Sequence, residues 1–338
     1  EFLDPELEKL RGTFFFVIQK FIRYLVENTY PAIIGNSSYY ATKTWHCNHG
    51  KLEWDYEEYQ QYEEEGRRLN QLATEVWEAY CEFVRNGRRI VDAHIHSFPY
   101  IDGISTRGKT QGTKNGRMLV NGVEESFIPE WLADSAFPIE LALNYMDKEG
   151  VDQAFIIQNS VIGDCNEYIS EAVARYPKRF FASVQVDPFS KDAASTLEHY
   201  ASLSRPNVFK MEISEQYGWS GMHRDLRVFD SPGMSDLWDI ALKYKMAVMF
   251  DTGLIGTNGY QTEQFAKLAD AYPSLPIIIE HGCMCKNDFD TDSELRPQWD
   301  AMAELGRKEN IYMGLTAIVE TAGNMERAMW VLEHLLNI

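Results

Sequence analysis

Three things are scarce in this chain, and each scarcity removes a class of protein. Only 5 of 338 residues are cysteine, an odd number scattered from Cys47 to Cys285. That usage is not a disulfide framework and fits a reducing compartment, so a cytoplasmic location is expected. Basic residues are few: 32 Lys and Arg stand against 51 Asp and Glu, a formal net charge of −19. Phosphate backbones are held by clustered cations, so no nucleic-acid partner is expected. Long apolar runs are missing too. The nearest, "GTFFFVIQKFIRYLV" (12–26), is broken by Lys20 and Arg23, falls short of the roughly 18 apolar residues a membrane span needs, and reads as an amphipathic helix. No membrane partner is expected, and the start lacks the basic-then-apolar pattern of a secretory signal.

What is present is an ordinary globular composition, 45% hydrophobic and 13% aromatic, enough for a large core. Its organisation changes near residue 88. Residues 1–87 read as a helical extension: Pro5 suits a first helical turn, Pro31 a helix end, and "EWDYEEYQQYEEEGRRLNQLATEVWEAYCEFVRN" (53–86) is dense in helix formers, with Gly66 as an expected break.

Residues 88–338 instead alternate short β-branched runs with helical stretches, the pattern of β/α units on a parallel sheet. Seven strands are expected, at "RIVDAHIH" (89–96), "QAFIIQ" (153–158), "FFASVQV" (180–186), "VFKMEI" (208–213), "MAVMFD" (246–251), "PIIIEH" (276–281) and "IYMGL" (311–315). Helices are expected over 139–149, 164–176, 191–203, 234–244, 262–272 and 298–308. No G-x-G-x-x-G follows the first strand, and polar residues gather at the C-terminal ends of several strands, where barrel enzymes build their sites. A (β/α)8 TIM-type barrel is therefore preferred to a doubly wound sheet. The long connection 97–138 reads as a lid or substrate loop, or as a solvated insertion.

In a strand, residues two apart share a face, so Asp92, His94 and His96 point the same way and the two imidazoles meet at one strand end. Neutral imidazole is a good ligand for divalent ions. His281 ends a later strand and could join them. An H-x-H pair alone is weak evidence; its place at the end of the first strand of a β/α series strengthens it. "HCNH" (46–49) and the Cys283/Cys285 pair lack the spacing of a structural zinc site. His223, Arg224 and Arg227, after the fourth strand, could contact substrate or lie in a solvated loop.

"IVDAHIHSF", "MDKEGVDQAFI", "ARYPKRFFASVQVDP", "VFKMEI", "MAVMFDTG" and "LPIIIEHG", in that order, resemble the amidohydrolase superfamily, in particular the amidohydrolase-related group that includes aminocarboxymuconate-semialdehyde decarboxylase. The resemblance runs from about Arg88 to the end. It implies that His94 and His96 are metal ligands, that His281 touches the reacting water or substrate, and that Lys210 stands where some members place a strand-4 lysine. Two departures follow. The family's strand-5 histidine is here Asp251, a substitute ligand or the mark of a degenerate site. The strand-8 aspartate has no counterpart, because the sequence ends in what reads as the helix before that strand. The expected architecture is thus a barrel lacking its eighth β/α unit, a truncated chain whose activity should rise in a version extended beyond Ile338.

The resulting expectation is a metal-dependent hydrolase of a small organic substrate, using one divalent ion, zinc first and manganese or magnesium next, held by His94, His96 and Asp251. His281 and Asp251 would carry the acid–base work, and Lys210, His223, Arg224 and Arg227 would be substrate contacts. One alternative is a non-oxidative decarboxylase of an aromatic or unsaturated acid. Another is a non-catalytic barrel remnant used for binding or assembly. A homo-oligomer is expected in each case.

Overall fold

The computed structural model describes residues 5–34, 37–42, 56–85, 89–203, 206–284 and 289–338. Cys47, the "HCNH" segment and Cys285 lie outside them. The chain divides into two compact units, Glu1–Arg89 and Ile90–Ile338.

In the first unit, helices Pro5–Asn28 and Tyr56–Arg85 pack together, tied by Lys20 Nζ to Glu75 Oε2 at 2.6 Å. The first helix ends at Asn28, before Pro31 as expected, but two expectations fail here, the break at Gly66 and an extension made of helices alone. Gly66 does not break its helix: nothing lies within 4 Å of where its Cβ would be, and a single glycine costs a long helix only about 1 kcal/mol. Thr29–Ile34 and Ser37–Thr42 form an antiparallel hairpin in which Pro31 pairs with Tyr40. A two-stranded ribbon consists of edges, where proline is tolerated.

The second unit is built on seven parallel strands: β1 (Val91–Ile95), β2 (Gln153–Ile156), β3 (Phe180–Val184), β4 (Pro206–Glu212), β5 (Ala247–Asp251), β6 (Ile277–Ile279) and β7 (Ile311–Met313). Each pairs with its neighbours in sequence order, β1 at one edge and β7 at the other. All seven expected strands are found, and the sheet curls into a half-barrel. Among the described residues no eighth strand joins β7 back to β1. Helices Ile139–Glu149, Asn166–Arg175, Ala193–Leu203, Met234–Lys243, Thr262–Ala271 and Leu295–Ala303 connect the strands.

Alternation along the strands separates two faces. Phe209, Met211, Val248, Phe250, Ile277 and Ile279 join the large core shared with the helices. Val208 and Met249 face inward and pack with Ile157, Phe155 and Ile278. The next inward positions, Lys210 and Glu212 on β4 and Asp251 on β5, are polar. The inside of the curl therefore changes from apolar to charged toward the C-terminal ends of the strands.

The connection 97–138 is no irregular loop. It forms a four-stranded antiparallel meander, Asp102–Ser105, Gly108–Gly112, Arg117–Val120 and Val123–Ser126. Asn121 and Gly122 both have positive φ, 49° and 82°, the two-residue turn that suits a twisted hairpin. The meander docks on the segment after β2, with Asp102 N donating to Ile162 O at 3.0 Å and Ile104 N to Ser160 O at 2.9 Å. Thr106 Oγ1 donates to Glu215 O, beyond β4, at 2.7 Å. Its neck is closed by paired backbone bonds between Phe98 and Phe137, 2.9 and 3.1 Å.

Candidate metal and acid–base centre

The inward polar residues form one buried cluster. His94 and His96 stand edge to face, ring centroids 5.0 Å apart, and His281 lies 5.6 Å from His94. His96 Nδ1 is 2.9 Å from the Ile157 carbonyl. A carbonyl only accepts, so Nδ1 carries the proton and Nε2 keeps its lone pair. Burial, with the neighbouring His94, pushes the His96 pKa down to about 3, and burial lowers His94 as well. Both rings are neutral at neutral pH, the form that binds metals.

His281 is in the opposite state. Its Nδ1 contacts the Thr316 carbonyl at 2.8 Å and its Nε2 contacts Asp251 Oδ2 at 3.2 Å. Both partners accept, so the ring is read as an imidazolium donating from both nitrogens. Burial, the largest single influence, opposes that charge; the hydrogen bond and the negative charge of Asp251, with the Thr316 carbonyl, together outweigh it and raise the His281 pKa. Burial likewise opposes ionisation of Asp251, while the His281 hydrogen bond and the Lys210 charge hold its carboxyl well below the usual range.

Three residues that sequence reasoning underrated or missed complete the centre. Lys210 is 1% exposed, and its charge acts on all three histidines as well as on Glu212, Asp251 and Glu280. Glu212 sits opposite Asp251 in the β4–β5 register. Burial and then the Asp251 charge push its pKa up to about 8, so this carboxyl stays protonated beside an ionised one. Glu280 Oε2 lies 3.5 Å from His94 Nδ1; burial opposes its ionisation, but His94 and Lys210 lower its pKa. Strand alternation was the available signal for both acids, since Glu212 follows Lys210 by two residues and Glu280 follows inward-facing Ile278 by two.

By the same alternation His281 should face outward. It reaches the cluster because the backbone turns left-handed at His281, Gly282 and Cys283, with φ of 61°, 57° and 64°. Two of the three are not glycine, and such residues are costly unless their surroundings hold them. Here Gly282 N donates to Gly314 O at 2.8 Å and Trp299 Nε1 to Gly282 O at 3.0 Å.

His94, His96, Lys210, Asp251 and His281 are thus brought together; His223, Arg224 and Arg227 are placed elsewhere, on the connection after β4. His223 Nε2 contacts Asp187 Oδ1 at 2.8 Å. The Arg227 guanidinium donates to the carbonyls of Arg224 and Leu226 and to Asn258 Oδ1, and Arg224 is exposed. Among the described residues no three His, Cys, Asp or Glu side chains are gathered as a finished ligand set. Asp251 and His281 are engaged with each other. The donor chemistry still fits a divalent ion. His96 is anchored through Nδ1 with Nε2 left open, His94 is backed by a carboxylate, and a second carboxylate stands nearby.

Beyond the ends of β2 to β4, under the meander, lies a cavity of about 430 Å³ whose wall includes Asp102, Asp164, Asp187, Asp192, Gln185 and Trp219. No Lys or Arg is among the residues lining it.

The sequence profile of the family described as amidohydrolase matches residues 91–338. The chain belongs to the amidohydrolase family. Solved structures share its fold at low identity. A probable 2-pyrone-4,6-dicarboxylic acid hydrolase from Acinetobacter baumannii, with citric acid bound, is 12% identical, covering 74% of this chain and 79% of its own at a TM-score of 0.51. An amidohydrolase from Burkholderia multivorans with bound zinc is 11% identical, covering 74% and 80% at a TM-score of 0.50. At such identities the likeness concerns the fold. No curated protein matches the sequence. In this amidohydrolase no described helix is long and apolar enough to cross a membrane.

Proposed function

We propose that this amidohydrolase is a metal-dependent hydrolase of a small organic substrate. The observation that carries the reading is the state of His96: a buried, neutral ring, fixed through Nδ1 to a backbone carbonyl, presenting Nε2 beside His94. His94 and His96 would hold one divalent ion with Asp251 as third donor. Zinc suits the imidazoles best, and the carboxylate makes manganese or magnesium the next choices. When bound, the ion supplies Lewis-acid polarisation and a nucleophile usable at neutral pH. His281, protonated and held by Asp251, is placed to deliver the Nε2 proton to a leaving group and to be reprotonated by the proton that the attacking water releases. Lys210 supplies a fixed positive charge for an oxygen that becomes anionic.

Decarboxylation of an aromatic or unsaturated acid would draw on the same residues, with Lys210 facing the carboxylate.

Metal content per chain of the purified protein, with a His94→Ala/His96→Ala double variant alongside, tests the reading. About one divalent transition metal per chain, lost in the variant, is expected. No metal in the wild type after reconstitution, together with stable oligomers, would favour the non-catalytic binding module instead. Lactones and amides screened for hydrolysis, against phenolic acids screened for CO₂ release, separate the two reactions.

A further inference from the structure

Glu280 carries no acid–base or substrate role in the function proposed above, yet its carboxylate is enclosed against His94. Its side chain and that of His94 are 3% and 4% exposed, and His94 Nδ1 faces Glu280 Oε2 at 3.5 Å. Both atoms are shielded from solvent, and neither has a hydrogen-bond partner among the described residues, so each is the nearest candidate for the other. The opposite side of the carboxyl is closed by Gly314. A Cβ there would lie 2.5 Å from Glu280 Cδ and Oε2 and 2.6 Å from Oε1, so the carboxyl occupies space that only glycine leaves. The Gly314 backbone cannot easily yield, because its N–H donates to Ile279 O at 2.7 Å and its carbonyl accepts from Gly282 N at 2.8 Å.

We propose that Glu280 is the positioning residue of His94: its carboxylate accepts the Nδ1–H of the ring, fixes the ring plane against β1, and leaves Nε2 as the nitrogen open to a ligand. A neutral imidazole carries one N–H, and an ionised carboxylate can only accept, so contact between the two places the proton on Nδ1. His96 reaches the same tautomer by another route, through the Ile157 carbonyl. Two neighbouring imidazoles thereby present the same nitrogen, one held by backbone and one by a side chain. Such outer partners set the orientation and basicity of ligand histidines. The consequence for metal affinity rests on the function proposed above; the tautomer assignment does not.

The test uses the full chain, labelled with ¹⁵N-histidine and freed of metal by chelation. Long-range ¹H–¹⁵N correlation spectra report the tautomer of each ring, with His94 assigned by comparison with His94→Gln. The expected result is an Nδ1–H tautomer at His94 in the wild type. In Glu280→Ala, which removes the acceptor, the signal should shift wholly or partly to Nε2–H. Glu280→Gln, which keeps an acceptor oxygen, should restore Nδ1–H. An Nε2–H tautomer in the wild type overturns the proposal even if Glu280→Ala does not fold, and so does an unchanged tautomer in a folded Glu280→Ala.

Zinc titration by calorimetry adds a second reading. Affinity should fall about 10–100-fold in Glu280→Ala and less in Glu280→Gln, and unchanged affinity in Glu280→Ala overturns the positioning role. Failure of the wild type to bind zinc would count against the metal-dependent hydrolase reading, and the tautomer spectra would still decide the question for Glu280.

Discussion

Glu212 and Asp251 face each other across β4 and β5, and burial lets the pair hold one negative charge more readily than two. This has a consequence for stability. Below the ordinary carboxyl range Glu212 is protonated in the folded and the unfolded chain alike. As pH rises from there toward about 8, the unfolded chain has released the proton that the folded chain still keeps. Whatever stability that retained proton represents is therefore lost as pH climbs through this window. Replacing Glu212 with Gln removes the titration and keeps the polar shape. Urea midpoints at pH 5 and pH 8 should differ less in Glu212→Gln than in the wild type; an equal or larger difference would refute the assignment of the shared proton to Glu212. The neighbouring His281 turn shows how a residue escapes a sequence reading. Its place beside Asp251 depends on three successive left-handed residues, a backbone state that no spacing rule announces.

At the scale of elements, the seven strands were legible because short β-branched runs alternate with helical stretches, and six of them lie within their expected bounds while β4 starts two residues early, at Pro206. The histidine pair was legible because strand periodicity is simple. The meander was not read, although "VNGV" (120–123) is a strong hairpin signal; its strands are short and polar, and their order depends on docking to the segment after β2. Gly103 marks the docking point. A Cβ there would come within 2.2 Å of Ser160 O and 2.6 Å of Val161 O, both backbone atoms with little room to move. Gly103→Ala should therefore loosen the meander at a cost of about 1–3 kcal/mol. Trypsin cleavage after Arg107, whose guanidinium pairs with Glu125 in the docked meander, should become faster than in the wild type. A cleavage rate equal to that of the wild type would mean that the meander is held by other contacts. The hairpin of the first unit was hidden for a different reason: Pro31 usually ends structure, and a two-stranded ribbon is one of the few places where it does not.

For the whole molecule the open side of the half-barrel matters most. Tyr312 of β7 pairs in register with Ile278 of β6, so it belongs to the inner face, yet it is 54% exposed. An inward aromatic left in water beside an unpaired strand edge is a surface that invites pairing with another chain. We propose this edge as the contact of the expected homo-oligomer. Sedimentation velocity should show concentration-dependent association that Tyr312→Lys weakens. Association unchanged by that substitution would place the contact elsewhere. A site assembled from β1, β4, β5 and β6 stands next to this edge, so metal content and oligomeric state are best measured on the same sample.

The closed neck of the meander reaches beyond the site, to the order in which the chain finds its fold. Pairing β1 with β2 requires two strands far apart in sequence to meet, and the entropy of closing such a loop opposes it. The four antiparallel strands between them pair with their sequence neighbours, contacts that cost little loop entropy. Once Phe98 and Phe137 have met, the insertion no longer counts as slack chain, and the distance still to be closed is that of an ordinary β/α crossover. The chain left to close between the histidine strand and its neighbour is then that of the helix Ile139–Glu149 and its flanks rather than of the whole insertion.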